Sequence, residues 1–256
     1  MMNHFHWAVK DGEEKTVKFF IKKGIDLNAK CVLKKRTALH YASEHNHIDI
    51  TKILIENGAI VDDRDVFGQT PLHIAVMNGH PKIVKLLIEK GADPHAKDAK
   101  LRTALHKVLD YSRESRYFVR YCPILAVEIC EILFKNEIDI NAKDRDDENT
   151  ALHLALINDG QANEEIIQVI LRFGANIELT NAKHLTALDF AIWNRNLNII
   201  KILIENGACP SKTRRFDFTT CSSSLEIALF LNDSLFCLKE DRHKMIKTML
   251  YAESRK

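Results

Sequence analysis

A six-residue pattern that returns five times along the chain is the strongest constraint on its fold. The first copy is Thr37-Ala-Leu-His-Tyr-Ala42, and the later copies begin at Thr70, Thr103, Thr150 and Thr186. The leucines in the third position of these copies are separated by 33, 33, 47 and 36 residues. A nearly constant period of this length indicates an array of similar units rather than a single globular core.

A glycine supplies a second landmark behind the recurring pattern. Threonine at the head of each copy suits a helix N-cap. Pro71 stands at the first helical position, where the N–H that proline lacks has no partner within the helix. The glycine follows an apolar helix, at the position where a left-handed cap is favoured. Two short helices fit between the landmarks, and they must stack on neighbouring units to bury their apolar faces. The landmarks are Gly58-Ala59, Gly91-Ala92, Gly174-Ala175 and Gly207-Ala208, with Gly24 ahead of them.

The combined pattern resembles the ankyrin repeat, with its Thr-Pro-Leu-His-x-Ala signature and a period near 33 residues. The resemblance implies an all-α fold, an ankyrin-repeat solenoid of about seven helix-turn-helix units joined by β-hairpin-like loops. We expect residues 1–256 to form a single ankyrin-repeat domain. Residues 30–208 hold the five signature repeats.

Two degenerate units flank the signature repeats. Residues 1–29 are expected to form an N-terminal capping repeat, since Phe5 lies 34 residues before Leu39, but without the Thr-Pro-Leu-His chemistry. Residues 209–256 are expected to form a degenerate C-terminal capping repeat. Terminal repeats are atypical because one of their faces meets water.

Composition limits the classes of partner and compartment. The 37 Lys and Arg residues are nearly matched by 35 Asp and Glu, so we expect no nucleic-acid partner. No run of 18 apolar residues is present, which argues against a membrane span. The six cysteines are widely and irregularly spaced, which is typical of reduced thiols in a cytoplasmic or nuclear protein.

The histidines invite a metal or catalytic interpretation, which the pattern does not favour. His40, His73, His106 and His153 belong to the signature, and Asp189 replaces histidine in the last copy. We expect each ring to form hydrogen bonds within its own turn or to the next hairpin. Phosphate-binding, dinucleotide-binding and nucleophile-elbow motifs are missing from the sequence. We therefore predict no enzymatic activity, no metal and no cofactor.

The ankyrin resemblance implies that partners lie along a concave face made by the hairpin tips and the first helices. Met77, Ile157 and Trp193 are expected to be partly exposed there, either as incidental surface residues or as anchors for a partner. The positions carried over from the family are Tyr41, Glu44, His45, Ile74, Met77, Asn78, Leu154, Ile157, Asn158, Phe190, Trp193 and Asn194.

Charge alternates between successive hairpin tips. The first and third tips are basic and the second and fourth are acidic, which either suits a partner of mixed charge or keeps the turns soluble. The residues are Lys30, Lys34, Lys35 and Arg36; Asp62, Asp63 and Asp65; Lys97, Lys100 and Arg102; Asp144, Asp146, Asp147 and Glu148; and, in a last basic tip, Lys212, Arg214 and Arg215.

The fourth unit carries 13 extra residues between its two helices, within residues 110–123. The insertion is either a binding loop, since arginine and tyrosine are enriched in binding hot spots, or an extension of the helices. The fifth unit adds three more residues near Asp159–Asn163. The candidate partner-binding residues of the larger insertion are Arg113, Arg116, Tyr117, Arg120 and Tyr121.

Two single positions near the end of the fourth unit also stand out. Glu137 replaces the capping glycine, so the turn there either differs from the others or is strained. Asn141, in Asp139-Ile-Asn-Ala142 behind Leu133, resembles the asparagine that is hydroxylated in many ankyrin proteins. Asn28 is a poorer match, and an ordinary hairpin asparagine is the alternative for both.

The sequence therefore predicts a protein–protein interaction module, an intracellular adaptor, scaffold or inhibitor that is monomeric by itself. One alternative is masking of a transcription factor, as inhibitors of NF-κB do, although no acidic, serine-rich tail is evident. Another is a substrate-recognition subunit of a ubiquitin ligase, although the last 30 residues do not clearly supply a SOCS box or F-box.

Overall fold

The computed structural model describes residues 3–109, 123–157, 164–194 and 196–209. Within these ranges all regular secondary structure is helical. The chain divides into two compact units, Met1–Asp146 and Asp147–Lys256, and each is described by itself. The all-α fold class is confirmed, whereas the expected C-terminal capping repeat lies, beyond residue 209, outside the described residues.

The described residues of the first unit form four helix pairs. In the first three pairs a helix of seven residues is followed by one of nine. The helices are α1 (His4–Lys10), α2 (Glu14–Lys22), α3 (Ala38–Glu44), α4 (Ile48–Glu56), α5 (Pro71–Met77), α6 (Pro81–Glu89), α7 (Ala104–Val108) and α8 (Pro123–Phe134).

These pairs stack in chain order, first helix on first helix and second on second. Helices α1, α3, α5 and α7 form one row, and α2, α4, α6 and α8 form the other. Burial follows the apolar stripe of each helix. In α6, for example, Ile83, Val84, Leu86 and Leu87 are buried while the charged residues face outward. Neither row could shield its apolar side chains without the other, which is why the units stack.

The second unit repeats this arrangement with two described pairs. These are α9 (Ala151–Ile157) with α10 (Glu164–Arg172), and α11 (Ala187–Trp193) with α12 (Leu197–Glu205). Helix α9 packs on α11, and α10 packs on α12.

A left-handed residue ends the second helix of each described pair. Gly24, Gly58, Gly91, Gly174 and Gly207 take φ between +78° and +96°, as the sequence predicted. Glu137 takes the same role with φ +58°, and its N–H donates to the Phe134 carbonyl oxygen at 3.1 Å. The turn at Glu137 therefore keeps the common geometry, at the cost of a left-handed conformation for a residue with a side chain.

The insertion of the fourth pair is described only at its end. Helix α8 has 12 residues, three more than the second helices of the other described pairs. Part of the extra sequence therefore lengthens this helix. Residues 110–122 lie outside the described residues.

Candidate protein-binding surface

Each of the signature threonines Thr37, Thr70 and Thr103 caps its helix through a reciprocal pair of hydrogen bonds. Its hydroxyl accepts from the backbone N–H of the histidine three residues later, and its own N–H donates back to Nδ1 of that ring. The N–Nδ1 distance is 3.2 Å at Thr37, Thr70, Thr103 and Thr150. A capping box of this kind satisfies two backbone donors that the first helical turn leaves unpaired.

The other ring nitrogen joins one helix pair to the next. His40 Nε2 lies 3.0 Å from the Gln69 carbonyl oxygen, and His73 Nε2 lies 3.1 Å from that of Arg102. In the second unit, His153 Nε2 lies 3.0 Å from the Leu185 carbonyl oxygen. These contacts give the signature histidines the structural role that the sequence predicted, a hydrogen bond to the next hairpin.

The geometry also fixes the protonation of these rings. Because Nδ1 accepts a hydrogen bond, the proton must be on Nε2, and the ring is neutral. Burial lowers the pKa of both His40 and His73 to about 4. Among the described residues, no group of three or more His, Cys, Asp or Glu side chains is arranged to hold a metal ion.

The first pair retains this chemistry, contrary to the sequence prediction. Asn3 caps α1 in place of threonine: its Oδ1 accepts from the His6 N–H at 2.9 Å, and its N–H reaches His6 Nδ1 at 3.4 Å. His6 Nε2 then lies 3.0 Å from the Ala29 carbonyl oxygen. Asparagine supplies the same acceptor as threonine, so a search for the threonine signature alone misses this copy.

The loops between pairs turn at residues 31–36 (tip 1), 65–69 (tip 2) and 98–102 (tip 3), and backbone hydrogen bonds link them. Val66 N–H donates to the Lys34 carbonyl oxygen at 2.9 Å, and Ala99 N–H donates to that of Phe67 at 3.0 Å. Arg145, in the following loop, donates to the Lys100 carbonyl oxygen at 2.8 Å. The tips therefore form one continuous row in the first unit.

Several of the alternating tip charges pair with each other across this row. Lys30 Nζ lies 2.6 Å from Asp63 Oδ1, and Lys100 Nζ lies 2.6 Å from Asp146 Oδ2. In the second unit, Lys183 Nζ lies 3.2 Å from Asp147 Oδ1. The opposite charges of neighbouring loops thus form ion pairs with each other. The sequence pattern alone does not indicate this role. Lys212, Arg214 and Arg215 lie outside the described residues.

Five apolar side chains are exposed on the three tips. Leu33 is 82% exposed, Phe67 49% and Leu101 42%, and Val32 and Val66 beside them are also exposed. We call these five residues the tip ridge. The signal for it in the sequence was the Val32-Leu33 pair, two apolar residues inside an otherwise basic turn.

The predicted binding residues of the first unit are only partly exposed. Tyr41 and Ile74, expected to face outward, are buried at 6% and 1% exposure. The Tyr41 hydroxyl donates to Cys31 Sγ at 3.3 Å, because tip 1 folds over this ring. Met77 is half-buried and Asn78 is exposed, as a surface position requires.

Glu44 is half-buried and engaged in an ion pair. Its Oε1 lies 2.9 Å from Arg36 Nη1, and the same guanidinium reaches Asp65 Oδ2 at 3.3 Å. Arg36 is therefore shared between the carboxylates of Glu44 and Asp65.

In the second unit, two of the described predicted residues are exposed and three are half-buried. Trp193 is 68% exposed and Ile157 is 37% exposed. Phe190 and Asn194 are half-buried, and the Asn194 side-chain amide donates to the Leu156 carbonyl oxygen. This bond holds the end of α11 against the end of α9. Leu154 is half-buried.

A cavity of about 310 Å³ opens beside tip 1. It is formed by the last residue of α1, the tip itself and the end of α3, and sequence reasoning did not foresee it. Burial alone would raise the pKa of the Cys31 thiol in its wall, but the Tyr41 hydroxyl and nearby backbone groups outweigh burial and lower that pKa. The lining residues are Lys10, Cys31, Leu33, Lys34, Tyr41, Glu44 and His45.

Some predicted residues cannot be assigned to this surface. Arg113, Arg116, Tyr117, Arg120, Tyr121 and Asn158 lie outside the described residues. Asn141 is half-buried, and its N–H donates to Asp139 Oδ1 at 3.0 Å in a local turn. Its hydroxylation stays a prediction.

The sequence model of the family described as ankyrin repeats (3 copies) matches residues 5–98 and 124–214. These matches extend over well more than half of the chain, so the chain belongs to the ankyrin-repeat family. Ankyrin-repeat domains bind other proteins, and the chain is accordingly a protein–protein interaction module. Within the described ranges, no helix combines the length and apolar character needed to cross a lipid bilayer.

Individual proteins agree with this assignment. The putative ankyrin repeat protein FPV244 of fowlpox virus (strain NVSL) is 27% identical over 136 residues, 52% of this chain and 19% of that protein. Palmitoyltransferase ZDHHC13 of Homo sapiens is 31% identical over 205 residues, 77% of this chain and 29% of that protein. The chain thus spans less than a third of the length of either relative.

A solved structure shares the fold. The ankyrin repeat domain of Bcl-3, described as a unique member of the IkappaB protein family, superposes with a TM-score of 0.67 at 24% identity. The superposition covers 84% of this chain and 90% of that domain.

Proposed function

We propose that this chain acts as an adaptor, scaffold or inhibitor by occupying one or more protein partners in the cytoplasm or nucleus. The observation that carries the proposal is the tip ridge. It exposes apolar side chains on a row of tips fixed by backbone hydrogen bonds, while several neighbouring charges are paired within the row. Exposed apolar side chains gathered on neighbouring tips are typical of protein interaction sites.

The tip ridge is suited to binding because a prealigned surface loses little conformational entropy when it binds a partner. The leucine and phenylalanine of the ridge supply apolar area, and the paired tip charges need not be stripped of water individually. Trp193 and Ile157 provide a second exposed apolar group on the second unit. Aromatic residues are enriched among binding hot spots, so this group is the second candidate contact.

Affinity capture from the native cell, compared between variants, tests the proposal. We expect Leu33→Ser with Phe67→Ser to lose a partner that the unmodified chain retains, because the ridge then lacks its aromatic ring and its more exposed leucine. Trp193→Ala with Met77→Ala tests the first-helix positions in the same way. Ile124→Ser is the matched control, since Ile124 is 76% exposed but lies on α8 rather than on the tips.

Circular dichroism must show that each variant keeps its helical content. If all variants capture the same proteins in the same amounts, neither surface is the binding site and the proposal is wrong. Turnover of a substrate by the purified chain would likewise contradict a purely binding role.

No observation favours the alternative functions specifically. The likeness to Bcl-3, at 24% identity, concerns the fold alone. The match to palmitoyltransferase ZDHHC13 covers only 29% of that protein.

A further inference from the structure

We propose that the cavity beside tip 1 binds an apolar side chain of a partner peptide that is flanked by carboxylates. The inference rests on the proposed binding function and specifies the chemistry of one contact. Its volume of about 310 Å³ is at the lower end of ligand pockets, a size suited to one or two side chains.

The walls supply an apolar seat. Leu33 from tip 1 and the ring of Tyr41 from α3 line the cavity. Tyr41 is fixed by the hydrogen bond from its hydroxyl to Cys31 Sγ, so the seat exists before a partner arrives. Leu33 is 82% exposed, and covering it would remove apolar area from water.

The charges around the cavity determine the sign of the partner. Lys10 and Lys34 are its two lysines, and Lys10 Nζ is held 4.8 Å from the centroid of the Trp7 ring. Glu44 is the carboxylate among the lining residues, and its Oε1 lies 2.9 Å from Arg36 Nη1. Burial lowers the pKa of His45, which leaves this ring largely uncharged at neutral pH. The opening is therefore net positive and complements acidic residues.

The experiment uses the full chain and an array of blocked nine-residue peptides with a central leucine. The flanking residues are aspartate and glutamate in one set, asparagine and glutamine in a second, and lysine and arginine in a third. We expect the acidic set to bind best, measured by fluorescence anisotropy up to about 1 mM peptide.

Charge reversal provides the decisive variant. Lys10→Glu with Lys34→Glu should weaken the acidic peptides by about tenfold or more and favour the basic set. Lys15→Glu with Lys22→Glu is the matched control, because both lysines are exposed on α2 and do not line the cavity. The control should keep the preference of the unmodified chain.

Three outcomes would overturn the inference: binding by no peptide set, equal binding by the acidic and basic sets, or an unchanged preference after reversal at Lys10 and Lys34. The ridge variants used with affinity capture separate this failure from that of the proposed function. Because Leu33 also lines the cavity, Phe67→Ser alone is the separating variant. A partner lost with Phe67→Ser but retained after the lysine reversal would leave the binding function intact and remove the cavity from it.

Discussion

At His40, His73 and His153, the two ring nitrogens have different partners. Nδ1 accepts from the capping threonine of its own helix, and Nε2 donates to a carbonyl oxygen of the next pair. Protonation would place a donor on Nδ1 opposite the Thr N–H, and it would put a charge in a buried site. The capping and linking contacts therefore both require the neutral ring.

This requirement predicts a loss of stability in mild acid. The pKa of His40 and His73 is about 4 when folded and near 6.5 when unfolded, so below pH 6.5 the unfolded chain binds more protons. The free energy of unfolding should therefore fall as the pH decreases from about 6.5 to about 4, by about 1.4 kcal/mol per pH unit for each histidine. Urea unfolding at several pH values measures this loss.

The variant His40→Gln with His73→Gln checks the cause of the acid sensitivity. It should be less stable at neutral pH but show a shallower dependence on pH, since two titrating groups are gone. An equally steep dependence would assign the effect to other groups. Measurements above pH 4 exclude the contribution of Asp98 to the pH dependence of the free energy of unfolding. Burial alone would raise the pKa of that carboxyl, but the hydrogen bond and charge of Lys107 outweigh burial and hold it at about 2.

A substitution at Glu137 is expected to stabilise the chain. Its φ of +58° is the strained value for a residue with a Cβ, and the side chain is exposed. Glu137→Gly should raise the free energy of unfolding by about 1 kcal/mol, seen as a higher Tm. Glu137→Ala keeps the Cβ and should give no such gain, and an equal rise in both variants would exclude backbone strain as the cause.

The modification proposed for Asn141 can be checked directly. If a hydroxylase acts on this asparagine, the peptide that contains it should carry an added oxygen in protein purified from its native cell. Asn28, the poorer match, is the internal comparison. Mass spectrometry that finds Asn141 entirely unmodified would dismiss the proposal.

At the scale of the elements, the tips depend on close contact between backbones. Gly68 has φ +72°, and a Cβ built there would lie 2.8 Å from the Ala99 backbone nitrogen. That nitrogen donates the hydrogen bond to Phe67 which joins tips 2 and 3. Gly91 also has a positive φ, +91°, but a Cβ there would meet no atom within 4 Å.

Gly68→Ala should therefore destabilise the chain more than Gly91→Ala. Both substitutions carry the cost of a left-handed alanine, about 1 kcal/mol, and only the first also displaces the neighbouring tip. The difference should be about 1 to 3 kcal/mol in chemical unfolding. Equal losses of unfolding free energy in the two variants would mean that displacing tip 3 from tip 2 does not destabilise the chain.

The elements were predictable because their signals are local. Thr70, Pro71 and Gly91 mark the ends of α5 and α6 within a few residues of sequence. The cavity was not predictable, because Lys10, Leu33 and Tyr41 meet only through the path of tip 1 over α3. Tyr41 was expected to face outward for the same reason: helical period gives the side of a helix, not what folds over it.

Across the first unit, equivalent contacts recur at a fixed interval. Asp65 precedes Asp98 by 33 residues, and Phe67 precedes Lys100 by the same number. Asp98 Oδ2 accepts from the buried Lys107 Nζ at 2.8 Å. Removal of residues 70–102 would join Gln69 to Thr103, keep the His40–Gln69 contact and bring Asp65 to the position of Asp98 relative to α7.

We therefore predict that the chain without residues 70–102 folds, with a lower Tm because one pair of interfaces is lost. Far-UV circular dichroism and a thermal melt would test this. The matched control is a chain without residues 70–85, which removes about half an interval and should not fold. Loss of cooperative melting in the first deletion would show that the pairs are not interchangeable.

The histidine links have a consequence for how such a chain can change over generations. Because each link joins only adjacent pairs and always ends on a main-chain carbonyl, any side chain can stand at the receiving position. A gene that gains or loses a whole copy by unequal recombination would thus encode a protein whose new junction is already complementary. Descendants of differing length could arise in single events, each offering its partners a longer or shorter row of tips.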